Sequence, residues 1–129
     1  MVVILFWLYF VNAMLLINHE IDSAYWKEWD LFGLPGGITG FLIIHFPLLF
    51  IVLYGLILVH QGALAGLILS LILCFFGVFA FAIHTFFIRK GRHEFTTLIS
   101  RFLLVATLGV SIAQAAVTLY LLATGSGQG

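Results

Sequence analysis

Charge is the scarcest property of this chain: five basic and five acidic side chains serve 129 residues, 8% of the whole, where ordinary soluble domains carry about a quarter. So few charges cannot wet the surface of a soluble domain of this size. The same shortage excludes disorder, which requires low hydrophobicity and high net charge. No basic surplus exists either. The formal net charge is zero and the pI about 7.0, so the stripe that a nucleic-acid partner demands is missing. Cysteine occurs once, as Cys74. It has no intramolecular partner, lies in an apolar run and says nothing about redox compartment; it reads as a small residue buried in a helix. Phosphate loop, H-E-x-x-H, Ser-based triad and C-x-x-C-H are all lacking, the last excluding covalent haem.

What the chain has is apolar length. Hydrophobic residues make up 64% of it and the mean hydropathy is +1.24. A spanning helix uses about 20 residues for a hydrocarbon core of roughly 30 Å, so the chain has room for four spans in one domain. Four stretches fit, at about 2–22, 38–59, 63–88 and 95–123. The predicted fold is an all-α, polytopic membrane protein of four transmembrane helices in an antiparallel bundle, with a flexible tail at 124–129. The first stretch carries neither a basic n-region nor a small-residue cleavage site, so it reads as a retained span. The links at 60–62 and 89–94 are short, which makes the helices they join antiparallel neighbours.

The longest connection, between the first two spans, has a pattern of its own. Tyr25, Trp29 and Phe32 recur at helical spacing, Trp26 stands beside them, and Lys27, Glu28 and Asp30 are interleaved. This predicts a short interfacial helix at about 23–33, aromatics at headgroup level, serving as an anchor or as a lid over a site. Leu34-Pro35-Gly36-Gly37 then turns the chain into the second span. With four spans, all five basic residues fall on one side of the membrane: Lys27, Arg89, Lys90, Arg92, and Arg101 near the start of the fourth span. The positive-inside rule makes that side cytoplasmic in an inner membrane and puts both termini outside. All five acidic residues lie on the same side, and the opposite face has none.

Histidine supplies the chemical signal. His60 and His93 fall in connections and read as solvated. The other three approach one layer from three helices: His19 ends the first span, His45 is seven residues into the second, about 10 Å deep at 1.5 Å per residue, and His84 precedes Arg89 by five. In the third span Ser70, Cys74, Gly77, Phe81 and His84 follow a four-three-four-three rhythm, a mostly small stripe that turns His84 into the bundle. Asn12, His19 and Asp22 share a face of the first span. Ser100, Thr107, Ser111, Gln114 and Thr118 form a polar stripe on the fourth. Pro47 leaves the direction of His45 open. Gly36-x-x-x-Gly40 and Gly62-x-x-x-Gly66 are small-residue motifs that permit close helix approach.

An ionisable residue inside a membrane is a functional-site hypothesis by default. His19, His45, His84 and Asp22 together offer three nitrogen ligands and one oxygen ligand, a set that suits zinc or iron. Glu20, about 100° round the helix from His19, is the candidate catalytic residue, as general base or as a partner to a ligand. Arg101 is positioned to balance an anionic substrate or to pair with Asp22 or Glu94. Three functions follow: a metal site in the cytoplasmic half, acting on an apolar or lipid-like substrate; a non-catalytic accessory subunit packed against a larger membrane complex or against its own copies; and a b-type haem module using two of the histidines.

Two resemblances attach to these residues. His19-Glu20-Ile21-Asp22-Ser23, a histidine closing a first span and followed by acids, with more histidines in later spans, resembles the small bacterial membrane proteins of the HXXEE type, although Asp stands at the third position after His and the second acid is missing. Tyr25-Trp26-Lys27-Glu28-Trp29 is similar to the Trp-Lys-Glu-aromatic stretch of the sterol-isomerase (EXPERA) membrane proteins, whose embedded Glu in a later span has no counterpart here.

Overall fold

The computed structural model describes residues 1–125. Its helices are α1 (Val2–Tyr25), α2 (Glu28–Leu31), α3 (Gly37–His60), α4 (Leu64–Arg89) and α5 (Leu98–Thr124). All but α2 are long and apolar enough to cross a membrane, with 24, 24, 26 and 27 residues, or at least 36 Å at 1.5 Å per residue. A helix satisfies its interior backbone polar groups within itself, which a hydrocarbon environment requires.

The four long helices form a ring. α1 packs against α3 and α5, and α4 also packs against α3 and α5, each neighbour antiparallel. α2 lies at the end where α1 finishes and α3 begins, and this end of the bundle carries every charged side chain while the other carries none. At the uncharged end a tight turn joins α3 to α4: a Cβ on Gly66 would stand 2.5 Å from the Leu58 carbonyl carbon and the Val59 nitrogen. Gly77 does the same for α4 and α5, where a Cβ would collide with the Ser111 hydroxyl. Gly36 and Gly40 work differently. Their open faces are filled by Pro35 and by each other, so this motif tightens the entry to α3 rather than a helix pair.

The core follows the inward stripes. Ser70, Cys74, Gly77 and His84 of α4 are buried, as are Ser100, Thr107, Ser111, Gln114 and Thr118 of α5; Phe81 is only half-buried. Asn12 donates to Ser111 Oγ at 3.0 Å and Gln114 Oε1 at 2.8 Å, and Gln114 Nε2 donates to Ser70 Oγ at 2.8 Å. Ser70 in turn shares a 2.8 Å bond with Thr118. This network stitches α1, α4 and α5 together at mid-bundle. The Tyr9 hydroxyl lies over Gly55 and donates to the Val52 carbonyl at 2.9 Å, doing the same for α1 and α3. Interhelical bonds of this kind contribute about 0.6 kcal/mol each in a bilayer.

Two boundaries differ from the sequence expectation. The interfacial segment is one turn, Glu28–Leu31, because α1 runs on to Tyr25 and Lys27 then takes a left-handed conformation at φ 52°, which no helix can pass through. The last helix starts at Leu98 rather than 95. Thr97 caps it by accepting from the Ser100 N–H at 3.2 Å, and Phe95 stands outside at φ 63°. A bulky residue at positive φ is held there only by its surroundings, and Phe95 is buried to 1%. Of the tail expected at 124–129, Thr124 closes α5 and Gly125 caps it at φ 63°, while residues 126–129 lie outside the described residues.

Candidate metal centre at the charged end

α1 and α4 run parallel across the diagonal of the ring and both end at the charged face. Each brings a histidine there. His19 and His84 are buried, only 2% and 1% exposed, their rings edge to face at 4.8 Å between centroids. Phe95 closes over them from the α5 side, 4.0 Å from the His84 ring and 5.8 Å from His19. The left-handed turn at Lys27 swings α2 back over the pair. Its first residue, Glu28, reaches His84 Nε2 with Oε1 at 3.3 Å. One ligand atom from each of His19, Glu28 and His84 lies within 4.8 Å of the others, so the three could hold a metal ion.

Three observations fit that use. The Nδ1 atoms of His19 and His84 are both buried without a hydrogen-bond partner, a cost of about 1–3 kcal/mol apiece that a ligand could offset. Glu28 supplies charge: burial alone raises its carboxyl, but the His84 imidazole, the Ser23 hydroxyl and the nearby His19 together hold it below the ordinary glutamate range. It is therefore a carboxylate at neutral pH, the form that ligates. Finally, two imidazoles and one carboxylate form the donor set of catalytic zinc sites that keep a fourth position open.

The remaining sequence candidates lie nearby but are engaged otherwise. His45 faces inward, with Nε2 at 2.7 Å from Glu20 Oε2 and Nδ1 at 2.7 Å from the Phe41 carbonyl. The Phe41 ring stacks on it at 3.8 Å. Both of its ring nitrogens are thus occupied, and it is joined to Glu20 rather than to the other histidines. Asp22 accepts from the Trp26 indole at 3.1 Å through Oδ1, while Oδ2 is buried without a partner. Arg101 is exposed and pairs with neither acid; Glu94 takes Arg92 at 2.8 Å. His60 ends α3 beside Phe6, and His93 is exposed. The His19 and His84 rings touch, which leaves no gap for a haem macrocycle between those two.

Glu28 is the member of the cluster that the sequence did not single out. In the sequence it read only as one of three charges interleaved among the aromatics of the interfacial segment, beside Lys27 and Asp30. The aromatic spacing around it held the usable signal. Trp29 packs on Phe41 at 5.6 Å, and Phe32 on Phe87 at 5.7 Å and His84 at 6.4 Å, so the segment is fastened onto the bundle and behaves as a cover.

Beneath that cover lies a cavity of about 520 Å³ between α1, α3 and α4. His19, Glu20, Glu28, His45 and His84 all contribute to its charged end. Deeper in, the walls are apolar, with Leu48 and Val52 from α3, Leu69 and Leu73 from α4, and Leu16 from α1.

Fold and site together define a multi-pass helical membrane protein with a buried His–Glu–His cluster at the head of an apolar cavity. The chain belongs to the family described as Family of unknown function (DUF6713), whose model matches residues 5–121. No curated protein and no solved structure matches it. The family match thus spans all four membrane helices and the cluster, whereas the HXXEE-like and sterol-isomerase-like segments are confined to residues 19–29.

Proposed function

We propose that the protein is a metal-dependent membrane enzyme whose centre is formed by His19, Glu28 and His84, working on an apolar or lipid-like substrate held in the adjoining cavity. The observation that carries this reading is the convergence of ligand atoms from His19, Glu28 and His84 within 4.8 Å of one another, with one ring nitrogen of each histidine buried and unpartnered. Evolved cores leave few such atoms unsatisfied without a use for them. A divalent ion there, zinc or iron, would polarise a substrate oxygen or activate a water molecule. The chain's own residues supply the rest. Phe95 keeps bulk water from the histidines, α2 delivers the carboxylate and covers the site, and the Glu20–His45 pair places a proton donor and acceptor on the same cavity wall. The asymmetry of basic residues supports an inner-membrane setting with the charged end in the cytoplasm.

Elemental analysis of the purified protein tests the centre. One zinc or iron per chain, lost in Glu28→Ala, is expected; metal-free wild-type protein, prepared without chelator and still unable to take up zinc, would overturn it.

A second reading, an accessory subunit, draws on α3. Only Phe41, Val52, Gly55 and Val59 of that helix are buried, leaving most of its surface for lipid or for a partner protein. Cross-linking in native membranes separates the two: a fixed partner on α3 together with a metal-free centre would favour the subunit.

A further inference from the structure

The cavity has a shape and an exit that the metal reading does not use. α3 and α4 are pinned at the uncharged end by the Gly66 contact with Leu58 and Val59. Away from that pin the cavity lies between α1, α3 and α4. Several residues that line it are also strongly exposed on the outside of the bundle: Ile44 (54%), Ile51, Ile72, Phe76 and Phe79 (49%). All five are apolar and lie well inside α3 and α4, at least seven residues from either helix end. That is about 10 Å or more along the axis, within the hydrocarbon depth of a bilayer. Meanwhile Trp29 and Pro35 stand over the charged end. The exposed residues of the α3 and α4 walls therefore lie at the depth of lipid tails.

Resting on the metal reading above, we propose that the ligand of this site is a single-chain fatty-acyl amphiphile that enters sideways from the bilayer between α3 and α4. Its acyl chain occupies the apolar part of the cavity and its carboxyl or ester oxygen lies at the His19–Glu28–His84 end. The division of the lining supports this occupant: charged and imidazole side chains gather at one end alone, and the one hydroxyl deeper in, that of Tyr9, is spent on the Val52 carbonyl, matching a molecule that is polar at one end alone. A cavity of this volume falls in the range that holds one small-molecule ligand, roughly 300–1,000 Å³, too little for the chains of a whole two-chain lipid to be enclosed. The apolar walls contribute about 25 cal/mol for each Å² of chain surface they cover only if the ligand would otherwise be in water, so in a bilayer selectivity must come from the head end. Oxygen coordination at the metal provides it.

The test uses the full-length protein in nanodiscs loaded with zinc, with native mass spectrometry and competition binding. The probes are palmitate, palmitoyl-lysophosphatidylcholine and hexadecane, and zinc stoichiometry is read on the same samples. Palmitate or the lysolipid should bind one per chain, and hexadecane much more weakly; whichever of the two is retained distinguishes a free carboxylate from an ester as the source. Ile72→Trp, at the exposed mouth, should weaken that binding by about tenfold or more, as expected for overfilling a packed space, with zinc unchanged. Zinc bound with no acyl ligand, hexadecane binding as tightly as palmitate, or full binding in Ile72→Trp would each overturn the acyl assignment while leaving the metal centre standing. Failure to bind zinc overturns the metal reading and, with it, the ligand geometry built upon it.

Discussion

The Asn12–Gln114 network at mid-bundle and the His19–Glu28–His84 cluster at the charged end are both sealed by the same three helices or their extensions, yet they are opposites in hydrogen bonding. In the first, both amide hydrogens of Asn12 have acceptors, Gln114 uses its oxygen and its nitrogen, and Ser70 and Thr118 complete the chain. In the second, His19 Nδ1 and His84 Nδ1 have nothing, and Asp22 Oδ2 near them is also unpartnered. A polar group buried without a partner costs more than a satisfied one returns. The saturated network is explained by helix association alone. The unsaturated cluster is not, and that contrast is the argument for a ligand.

Substitutions can break this contrast. The largest effect is expected from His84→Leu, which keeps much of the side-chain volume. It should lower metal affinity by more than about 100-fold, beyond what loss of a ligand's hydrogen-bond partner costs, while the melting temperature of the metal-free protein stays level or rises. A fall in metal-free stability as large as that of a mid-bundle variant would place His84 with the structural groups. Gly77→Ala should act the other way. Its methyl would strike Ser111, and overpacking of this kind costs about 1–3 kcal/mol; thermal unfolding in detergent should show the loss while zinc titration shows none.

Gln114→Leu sharpens the same point at smaller scale. It removes the bonds to Asn12 and Ser70 and should destabilise by about 1–2 kcal/mol, again with metal affinity preserved. A Gln114→Leu protein that loses metal would mean the two clusters are one unit. The smallest effect concerns pH. The Glu28 carboxyl is depressed in the folded protein, so its contribution to holding α2 is fully present above the ordinary glutamate value of about 4.5 and is lost as pH falls through the lower folded value. Hydrogen exchange over residues 26–34 should therefore accelerate on acidification, and Glu28→Gln should show no such transition; an identical acid profile in both would sink the proposed role of Glu28 in fastening the cover.

Much of this was legible beforehand, for identifiable reasons. Helix periodicity turned Ser111, Gln114 and Thr118 inward because a helix face is set by spacing alone. The layer shared by His19 and His84 followed from counting residues to the span ends, at a fixed rise per residue. His45 belonged to the same layer, but its partner did not follow from depth, since only the way α3 packs on α1 decides that it meets Glu20. Glu28 was hidden by a single backbone angle. Were Lys27 helical, Glu28 would extend along the axis of α1; at φ 52° the chain doubles back and the carboxylate lands on His84. Phe95 was hidden likewise, counted into a helix that Thr97 starts three residues later.

Scarcity of charge, then, determined by itself that this chain spans a membrane four times with all its charges at one end, because the cost of burying charge in hydrocarbon permits little else. Which of those end groups meet was decided only by tertiary structure. Two turn residues with left-handed backbones and the rotation of one helix selected His19, Glu28 and His84 from several candidates, because coordination depends on distances of a few ångströms and sequence spacing resolves only faces and depths.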